Sequence, residues 1–347
     1  MNKDSRTPDL PQWMIEDNHS RQGKYARNMD DEAFLAKMNH HLQPYEEDIE
    51  VPEEEPFPII YFFGLPRCGK TVFSQLLRDS LDIGYPDNVV ARFWRAPVSG
   101  IRLSSILNTT ADKTDYQSDY GKTGSLSDPH DFAYFWRKWF HMDSLDYDPD
   151  EARNSIDFKG LGDQLRKMSK EWGKTSVFKG VIPSYHLKNM LECYQKSLVI
   201  YVDRDYIDSA VSLLKGRIDN YNDPDHWYGQ TVLPEQMNEL RDLPWNEQIG
   251  GQFYYLNKLY EKCFGEIDQN KLIRIAYHEF CDDPNGTIQM IVDRVKDLYD
   301  YKIPVKNIPQ KESFKFSMHK EDANGYQELI KGLEKYGMKT RRLVMAD

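Results

Sequence analysis

The amino-acid sequence of 347 residues predicts an α/β fold, with a parallel β-sheet flanked by helices. Three short runs rich in apolar, β-branched and aromatic residues lie at 57–63, 197–203 and 271–280. Each run precedes a segment whose apolar residues have helical spacing, and strands that are apolar on both faces are typical of a sheet covered by helices. We therefore expect one α/β domain with aromatic-rich insertions over 57–347, preceded by a polar arm over 1–56.

Composition restricts the class of partner. The chain has 45 basic and 56 acidic residues, a formal net charge of −11, and 13% of its residues are aromatic. Chains rich in aromatic residues form packed cores. A net negative charge opposes nucleic acid or an anionic membrane as the main partner. No run of 18 apolar residues occurs, so we predict no membrane-spanning segment and a cytoplasmic location.

The four cysteines are widely spaced and form no C-x-x-C pair; they are Cys68, Cys193, Cys263 and Cys281. The spacing indicates neither a zinc site nor a disulfide framework. We expect free thiols and no metal.

The arm is predicted to be solvated. Its segment 45–55 holds seven acidic residues in eleven positions and is followed by Pro56. Runs of like charge are typical of solvent-exposed chain, so solubility is the predicted role of this segment.

Residues 64–71 read GLPRCGKT, a G-x-x-x-x-G-K-T pattern directly after the first predicted strand and at the start of a predicted helix. Gly64 and Gly69 allow backbone N–H groups to turn towards a phosphate, and Arg67 and Lys70 add positive charge. The sequence therefore predicts an anion-binding loop, called the phosphate loop below.

This loop by itself leaves the identity of the anion open. A nucleoside triphosphatase or small-molecule kinase would place Lys70 on the β- and γ-phosphates and Thr71 on Mg²⁺. Asp203, at the end of the second predicted strand, would supply the strand-terminal acid of such a site.

A second anion site is predicted where that strand ends. Arg204 follows the strand directly, and Ser212 lies eight residues later in the next predicted helix. Ligands of open α/β sheets bind at the carboxyl ends of the strands, where an arginine and a helix-borne hydroxyl can hold one phosphate.

Four segments, in order, resemble the motifs of sulfotransferases whose donor is 3′-phosphoadenosine 5′-phosphosulfate (PAPS). They are PRCGKT (66–71), VFKGVIPSYHL (177–187), VIYVDRDYIDSAVS (199–212) and YHEFCDDP (277–284), with helix-like similarity over 322–337. The resemblance implies a P-loop NTPase-like sulfotransferase fold and metal-independent transfer of a sulfuryl group to a hydroxyl or amine of a small-molecule or glycan acceptor. Cys68 and Lys70 depart from the Ser and Thr that are usual in the family.

The resemblance also implies roles for individual residues. Arg67 would bind the 5′-phosphosulfate, and Lys179 would donate to the bridging oxygen or to the sulfuryl group. Arg204 and Ser212 would hold the 3′-phosphate, and Tyr277 would lie near the adenine. The implied donor-binding residues are Pro66, Arg67, Cys68, Gly69, Lys70, Thr71, Val72, Arg204, Ser212 and Tyr277.

The general base is not where the family has it. The usual His position falls near Val181 and Ile182, and the usual Glu position falls near 90–94. Other candidates for the catalytic base are His186, which we rank first, and His130, His141 and Asp131.

Two more features of the family are missing. Val72 stands where the family has a Trp that stacks on adenine, and no R-K-G segment occurs near the C-terminus. Residues 315–320, KFSMHK, are the expected substitute for that segment.

Two aromatic-rich insertions, about 84–150 and 217–250, are expected to form the acceptor pocket, because insertions between α/β units often build binding sites. In the first, one helical face of 130–142 carries an aromatic stripe: Phe132, Phe135, Trp136, Trp139 and Phe140. Core packing is the predicted role of the stripe, and a wall of the acceptor pocket is the alternative.

Two other functions stay open from the sequence. One is a P-loop kinase that uses Mg²⁺ and ATP, and the other is a non-catalytic nucleotide-binding module that kept the loop and lost its base. Dependence on Mg²⁺ separates the kinase from the others, and turnover separates an enzyme from a module. The sequence identifies neither the acceptor nor the oligomeric state.

Overall fold

The computed structural model describes residues 12–107, 124–307, 323 and 325–339. Within them, four strands form one parallel sheet: β1 (Ile59–Phe63), β2 (Ser176–Lys179), β3 (Ser197–Asp203) and β4 (Leu272–Ala276). The strand order is β2-β1-β3-β4. The predicted α/β class, with a parallel sheet flanked by helices, is confirmed.

Fourteen α-helices surround the sheet in the described part of the chain. The first seven are α1 (Gln12–Ser20), α2 (Met29–Glu47), α3 (Lys70–Ser80), α4 (Pro97–Leu107), α5 (Ala133–Phe140), α6 (Pro149–Ala152) and α7 (Phe158–Trp172). The others are α8 (Leu187–Cys193), α9 (Tyr206–Tyr221), α10 (Pro234–Leu240), α11 (Trp245–Gly265), α12 (Tyr277–Asp282), α13 (Pro284–Tyr299) and α14 (Tyr326–Lys335).

The pairing register aligns the carboxyl ends of three strands. Phe62 of β1 pairs with Lys179 of β2, and Phe63 pairs with Tyr201 of β3. The chain leaves β1 into the phosphate loop and leaves β3 into Arg204. The two predicted anion-binding segments and Lys179 therefore meet at one edge of the sheet, where parallel sheets bind their ligands.

Alternate residues of the central strand β1 face two separate cores. Tyr61 packs edge-on against Trp136 of α5 on one face. On the other face, the Phe62 ring lies 4.9 Å from the ring of Phe73 on α3. All five residues of β1 are fully buried, as expected for a central parallel strand.

The predicted core-packing role of the aromatic stripe is confirmed. Phe132, Phe135, Trp136 and Phe140 are at most 1% exposed, and Trp139 packs partly buried against the same cluster. One face of α5 is thereby fixed in the core, and its opposite face is free to line a cavity.

The last strand is shorter than predicted. The apolar run at 271–280 predicts one strand, but β4 ends at Ala276 and α12 begins at Tyr277. The Glu279 side chain accepts a hydrogen bond from the Ala276 backbone N–H at 3.1 Å. This bond satisfies a donor at the helix N-terminus and favours helix over further strand.

The N-terminal arm differs from the predicted solvated extension, because residues 12–47 are largely helical and pack on the domain. Glu46, within the acidic segment, is only 2% exposed. Its carboxylate accepts hydrogen bonds from the Val98 N–H at 2.9 Å and from Gln164 Nε2 at 2.8 Å. Burial raises the pKa of Glu46. This acid is a structural anchor between α2, α4 and α7.

The cysteines are free, and three of them, Cys68, Cys263 and Cys281, are buried. In the ranges that the structure describes, none of the helices has the length and apolar character needed to cross a membrane.

We predict that Glu46→Ala lowers the free energy of unfolding by about 1–3 kcal/mol, because two buried donors lose their acceptor. Urea denaturation followed by circular dichroism measures the change. Glu53→Ala is the control: Glu53 is exposed, and its removal should change stability by no more than about 0.5 kcal/mol. Equal stability of the two variants would contradict an anchoring role for Glu46.

Candidate functional site

A cavity of about 940 Å³ opens at the carboxyl edge of the sheet. All the residues predicted to bind the donor line it: Pro66, Arg67, Cys68, Gly69, Lys70, Thr71, Val72, Arg204, Ser212 and Tyr277. Segments more than 200 residues apart in the sequence thus share one cavity, because β1, β3 and β4 are neighbours in the sheet.

The phosphate loop has the backbone shape of an anion-binding turn. Arg67 and Gly69 both have left-handed backbone, with φ of 65° and 96°, and α3 begins at the next residue, Lys70. A Cβ on Gly69 would lie 2.2 Å from a carbon of the Tyr277 ring. Glycine is therefore required at this position both by conformation and by the close approach of Tyr277.

Lys70 lies against the carbonyls of its own loop. Its Nζ donates to the carbonyl oxygens of Gly64 and Leu65, at 2.8 Å each. Desolvation by the surrounding protein lowers the pKa of Lys70. Both acceptors are uncharged carbonyl groups, so they orient the ammonium without neutralising its positive charge.

The second predicted motif contacts the first directly. Arg67 Nε donates to Ser212 Oγ at 3.0 Å, and Arg204 donates to the Arg67 carbonyl at 3.1 Å. The Arg204 guanidinium stacks over the Tyr277 ring, 4.7 Å from its centroid. Burial, the largest cause, raises the pKa of Tyr277 to about 12, so the ring is neutral. Two arginines and a hydroxyl converge here beside the phosphate loop.

Lys179 is buried at the end of β2 in an ion pair with Asp131. Nζ lies 2.9 Å from Asp131 Oδ1 and donates to the Pro129 carbonyl at 3.2 Å and to Thr71 Oγ1 at 3.4 Å. The Lys179 side chain is 2% exposed, whereas that of Asp131 is 53% exposed and lines the cavity. The carboxylate is thus the part of the pair that a ligand meets.

The pKa of Asp131 is lowered, so the group is ionised at neutral pH. Burial, the largest single cause, raises this pKa. The charge and the hydrogen bond of Lys179, with smaller effects from His130 and Lys70, together lower it by more. An ionised carboxylate beside a fixed ammonium is chemically able to accept a proton from a bound molecule.

The structure does not bring His186, the first-ranked base, to this cavity. His186 lines a separate cavity of about 160 Å³, its Nε2 lies 2.6 Å from the Tyr147 hydroxyl, and its ring packs against Phe140 and Phe158. Burial lowers its pKa to about 4. His186 follows β2 by seven residues, and the intervening turn carries it past the edge of the sheet into the core.

The other two histidines are also displaced from the cavity lining. His130 Nδ1 accepts from the Phe132 N–H at 2.9 Å, and burial lowers its pKa to about 4. His141 is exposed; it directly follows α5 and has a left-handed backbone conformation. Among the four candidates, Asp131 is the one that lines the cavity.

Much of the remaining cavity lining comes from the N-terminal segment, which was not predicted from the sequence, and from the two insertions, which were expected to form the acceptor pocket. The N-terminal segment contributes Glu16, Asp17, Arg21 and Arg27, α5 contributes Tyr134 and Arg137, and the second insertion contributes His226, Trp227 and Tyr228. The arm was predicted to be solvated, so nothing in the sequence pointed to its arginines. Residues 315–320, expected to replace the missing R-K-G segment, lie outside the described residues.

Within its described lining, the cavity is strongly basic. Seven cationic side chains line it: Arg21, Arg27, Arg67, Lys70, Arg137, Arg204 and Lys215. The carboxylates of the lining are Glu16, Asp17 and Asp131. A chain with net charge −11 therefore concentrates positive charge around one cavity, which favours a polyanionic ligand.

No known family model matches this sequence, and no curated protein matches it. Solved structures that are similar include the sulfotransferase STF1 from Mycobacterium tuberculosis H37Rv, at 12% identity and a TM-score of 0.49 over 87% of this chain and 82% of that chain. The sulfotransferase STF9 from Mycobacterium avium has 14% identity and a TM-score of 0.46, over 98% and 93%. A sulfotransferase from Alicyclobacillus acidocaldarius has 14% identity and a TM-score of 0.39, over 86% and 98%. At these identities and TM-scores, the similarity by itself assigns no activity, and the function has to be argued from the site.

We predict that Gly69→Ala weakens the binding of inorganic pyrophosphate more than about tenfold, because the new Cβ collides with the Tyr277 ring and distorts the loop. Isothermal titration calorimetry measures the affinity. The control is Gly173→Ala, which has the same left-handed backbone, with φ of 67°, and open space around the new Cβ. It should destabilise the fold by about 1 kcal/mol and leave pyrophosphate binding intact. Equal loss in both variants would mean that the loop is not the anion site.

Proposed function

We propose that this chain is a sulfotransferase that moves the sulfuryl group of 3′-phosphoadenosine 5′-phosphosulfate to a hydroxyl or amine of a small-molecule or glycan acceptor. One observation carries the proposal: the Lys179 ammonium lies beside the Thr71 hydroxyl of the phosphate loop, in an ion pair with Asp131, which faces the cavity. Sulfuryl transfer needs positive charge where the leaving oxygen departs and a proton acceptor where the attacking oxygen enters. The pair supplies both.

The two anion-binding motifs support a donor with phosphates at both ends of a nucleoside. The phosphate loop, with Lys70, fits the 5′-phosphosulfate, and Arg204 with Ser212 fits the 3′-phosphate. Arg67 joins the two sites, because it contacts both Ser212 and Arg204. A cavity of about 940 Å³ is at the upper end of the usual range for ligand sites, about 300–1,000 Å³, and leaves room for an acceptor.

The residues of the cavity divide the chemistry between them. Transfer forms a bond between sulfur and the acceptor oxygen and breaks the bond between sulfur and the 5′-phosphate oxygen, which keeps the electron pair. Arg67 stabilises the charge that grows on that oxygen from within the cavity, and Lys179, which is not among the cavity-lining residues, adds its buried positive charge from behind Thr71. Asp131 accepts the proton that the acceptor releases, and its lowered pKa keeps the carboxylate ionised at neutral pH.

The Lys179 contact of Thr71 and the position of Asp203 do not favour the kinase alternative. A kinase would use the Thr71 hydroxyl as a ligand of Mg²⁺, but the Lys179 ammonium lies 3.4 Å from that hydroxyl. Asp203, the acid that would complete a metal site, is not among the cavity-lining residues.

We predict that adenosine 3′,5′-bisphosphate binds tightly without metal and that Arg204→Ala weakens this binding about tenfold or more, since a charge-assisted contact to phosphate is lost. Isothermal titration calorimetry against the bisphosphate, and against ATP with Mg²⁺, measures both. Arg274→Ala is the matched control, because Arg274 is a half-exposed arginine of β4 that pairs with Glu261 outside the cavity. A preference for ATP with Mg²⁺ would refute the sulfotransferase proposal.

We predict that Asp131→Asn lowers the rate of sulfuryl transfer by about 10²–10⁴-fold and leaves the affinity for adenosine 3′,5′-bisphosphate within a factor of about three. The assay follows radiolabelled sulfuryl transfer from PAPS to 4-hydroxyphenylacetate. Burial, the largest single cause, raises the pKa of Asp131, but the opposing effects of Lys179, His130 and Lys70 together lower it by more. The wild-type rate should therefore stay level from about pH 7.5 to about pH 5.5. The rate should fall only in more acidic solution, where Asp131 takes up a proton.

His141→Gln is the control for this experiment, because His141 is exposed and outside the cavity lining; its rate should equal that of the wild type. A full rate in Asp131→Asn would remove Asp131 from the base role.

A further inference from the structure

Two arginines and one tyrosine line the part of the cavity that α5 and the N-terminal segment form. The Arg27 guanidinium lies over the Tyr134 ring, 5.7 Å from its centroid. Arg137 follows Tyr134 by three residues on α5, so both side chains project from the same face of the helix. All three residues line the cavity. The opposite face of α5 is locked in the core by its aromatic stripe, which fixes the direction of Arg137.

The carboxylates of the described cavity lining are fewer than its cationic side chains, three against seven. Asp17 pairs with Arg21 at 2.8 Å and accepts from the Tyr221 hydroxyl at 2.8 Å, and its charge also raises the pKa of Arg137. Glu32 accepts from the Tyr134 hydroxyl at 2.9 Å but is not among the cavity-lining residues.

The electrostatic environment of Arg137 agrees with this geometry. Burial, as the largest cause, lowers the pKa of Arg137 to about 10, and the charge of Arg27 contributes to the lowering. Arg137 is still protonated at neutral pH. A guanidinium beside a second positive charge gains stability when an anion binds to it, and guanidinium forks match carboxylate and phosphate oxygens well.

Aromatic rings line the same cavity as the arginine pair. They belong to Tyr134, Tyr185, Tyr221, Trp227 and Tyr228. Such surfaces bind flat apolar groups, and their hydroxyl and indole edges add hydrogen bonds. The cavity therefore combines a place for a ring with a place for an anion.

We propose that the acceptor is an anionic molecule, with a ring that packs on these aromatic side chains and a carboxylate or phosphate group that binds between Arg27 and Arg137. This inference rests on the proposed sulfotransferase function and specifies its acceptor class. It also distinguishes two anion sites in one cavity: the phosphate loop with Arg67 and Arg204 for the donor, and the arginine pair for the acceptor.

The test measures binding to the full chain saturated with adenosine 3′,5′-bisphosphate, which fills the donor site. The probes are 4-hydroxyphenylacetate, its neutral methyl ester, and 4-hydroxybenzyl phosphate, whose phosphate replaces the carboxylate. We expect at least one anionic probe to bind about tenfold or more tightly than the ester. The carboxylate and phosphate arms identify which anion is preferred.

Arg27→Gln and Arg137→Gln should remove most of this preference while the affinity for the bisphosphate stays unchanged. Arg27 is a loop residue that lies outside the core clusters, so its variant keeps the test valid if Arg137→Gln unfolds. The matched control is Arg241→Gln, because Arg241 is an exposed arginine paired with Asp146 outside the cavity. Its probe affinities should equal those of the wild type.

Three results would overturn the inference with the proposed function intact: equal affinity for anion and ester, a preference that survives in Arg27→Gln, or no binding of any probe at about 10 mM. Failure of the bisphosphate itself to bind would instead refute the proposed function, and the acceptor inference with it.

Discussion

The ion pair between Lys179 and Asp131 is the interaction on which the rest of the site depends. An ammonium that is 2% exposed is tolerated only when its charge and its donors are matched, and here a carboxylate, the Pro129 carbonyl and the Thr71 hydroxyl match them. Each partner comes from a different part of the fold: Lys179 ends β2, Thr71 lies in the first turn of α3, and Asp131 precedes α5. The pair therefore holds the first insertion against the end of β2 and places the Asp131 carboxylate in the cavity lining.

The parallel register brings these parts together. Because Phe62 pairs with Lys179, the end of β2 lies beside the phosphate loop that follows β1, and pairing of β1 with β3 brings Arg204 to the other side. The loop is then shaped by close contacts, of which the packing of Tyr277 on Gly69 is the tightest. A shift of one residue in either pairing would separate the cations from the loop and turn the strand side chains to the wrong core.

The parts of the site that lie in contiguous segments could be predicted from the sequence, and the parts that depend on long-range packing could not. The strand, the glycine loop and α3 form one local unit, and Arg204 with Ser212 forms another, so spacing and chemistry were sufficient. Asp131 is 48 residues from Lys179 in the chain, and no local pattern links them. His186 ranked above Asp131 because it lies near the lysine-bearing strand in sequence, yet the turn after β2 carries it into the core. The acidic segment that contains Glu46 was predicted to be solvated. Composition alone does not show which of its carboxylates accepts hydrogen bonds from buried donors.

The contacts of the cavity's cations suggest how binding and transfer are coupled in the proposed mechanism. Lys70 is oriented by two carbonyls, Arg67 by the Ser212 hydroxyl, and Arg204 by a carbonyl and a ring. These contacts fix the cations at a cavity whose described lining holds more cationic than acidic side chains, which attracts the anionic donor of the proposed reaction. Lys179 differs, because its charge is balanced by Asp131. When Asp131 takes the acceptor's proton, that balance is lost, and the ammonium acts with its full charge on the leaving oxygen at the moment when negative charge grows there. Deprotonation of the acceptor and stabilisation of the leaving group would then be two consequences of one proton transfer, which explains why the carboxylate faces the cavity while its lysine stays buried behind it.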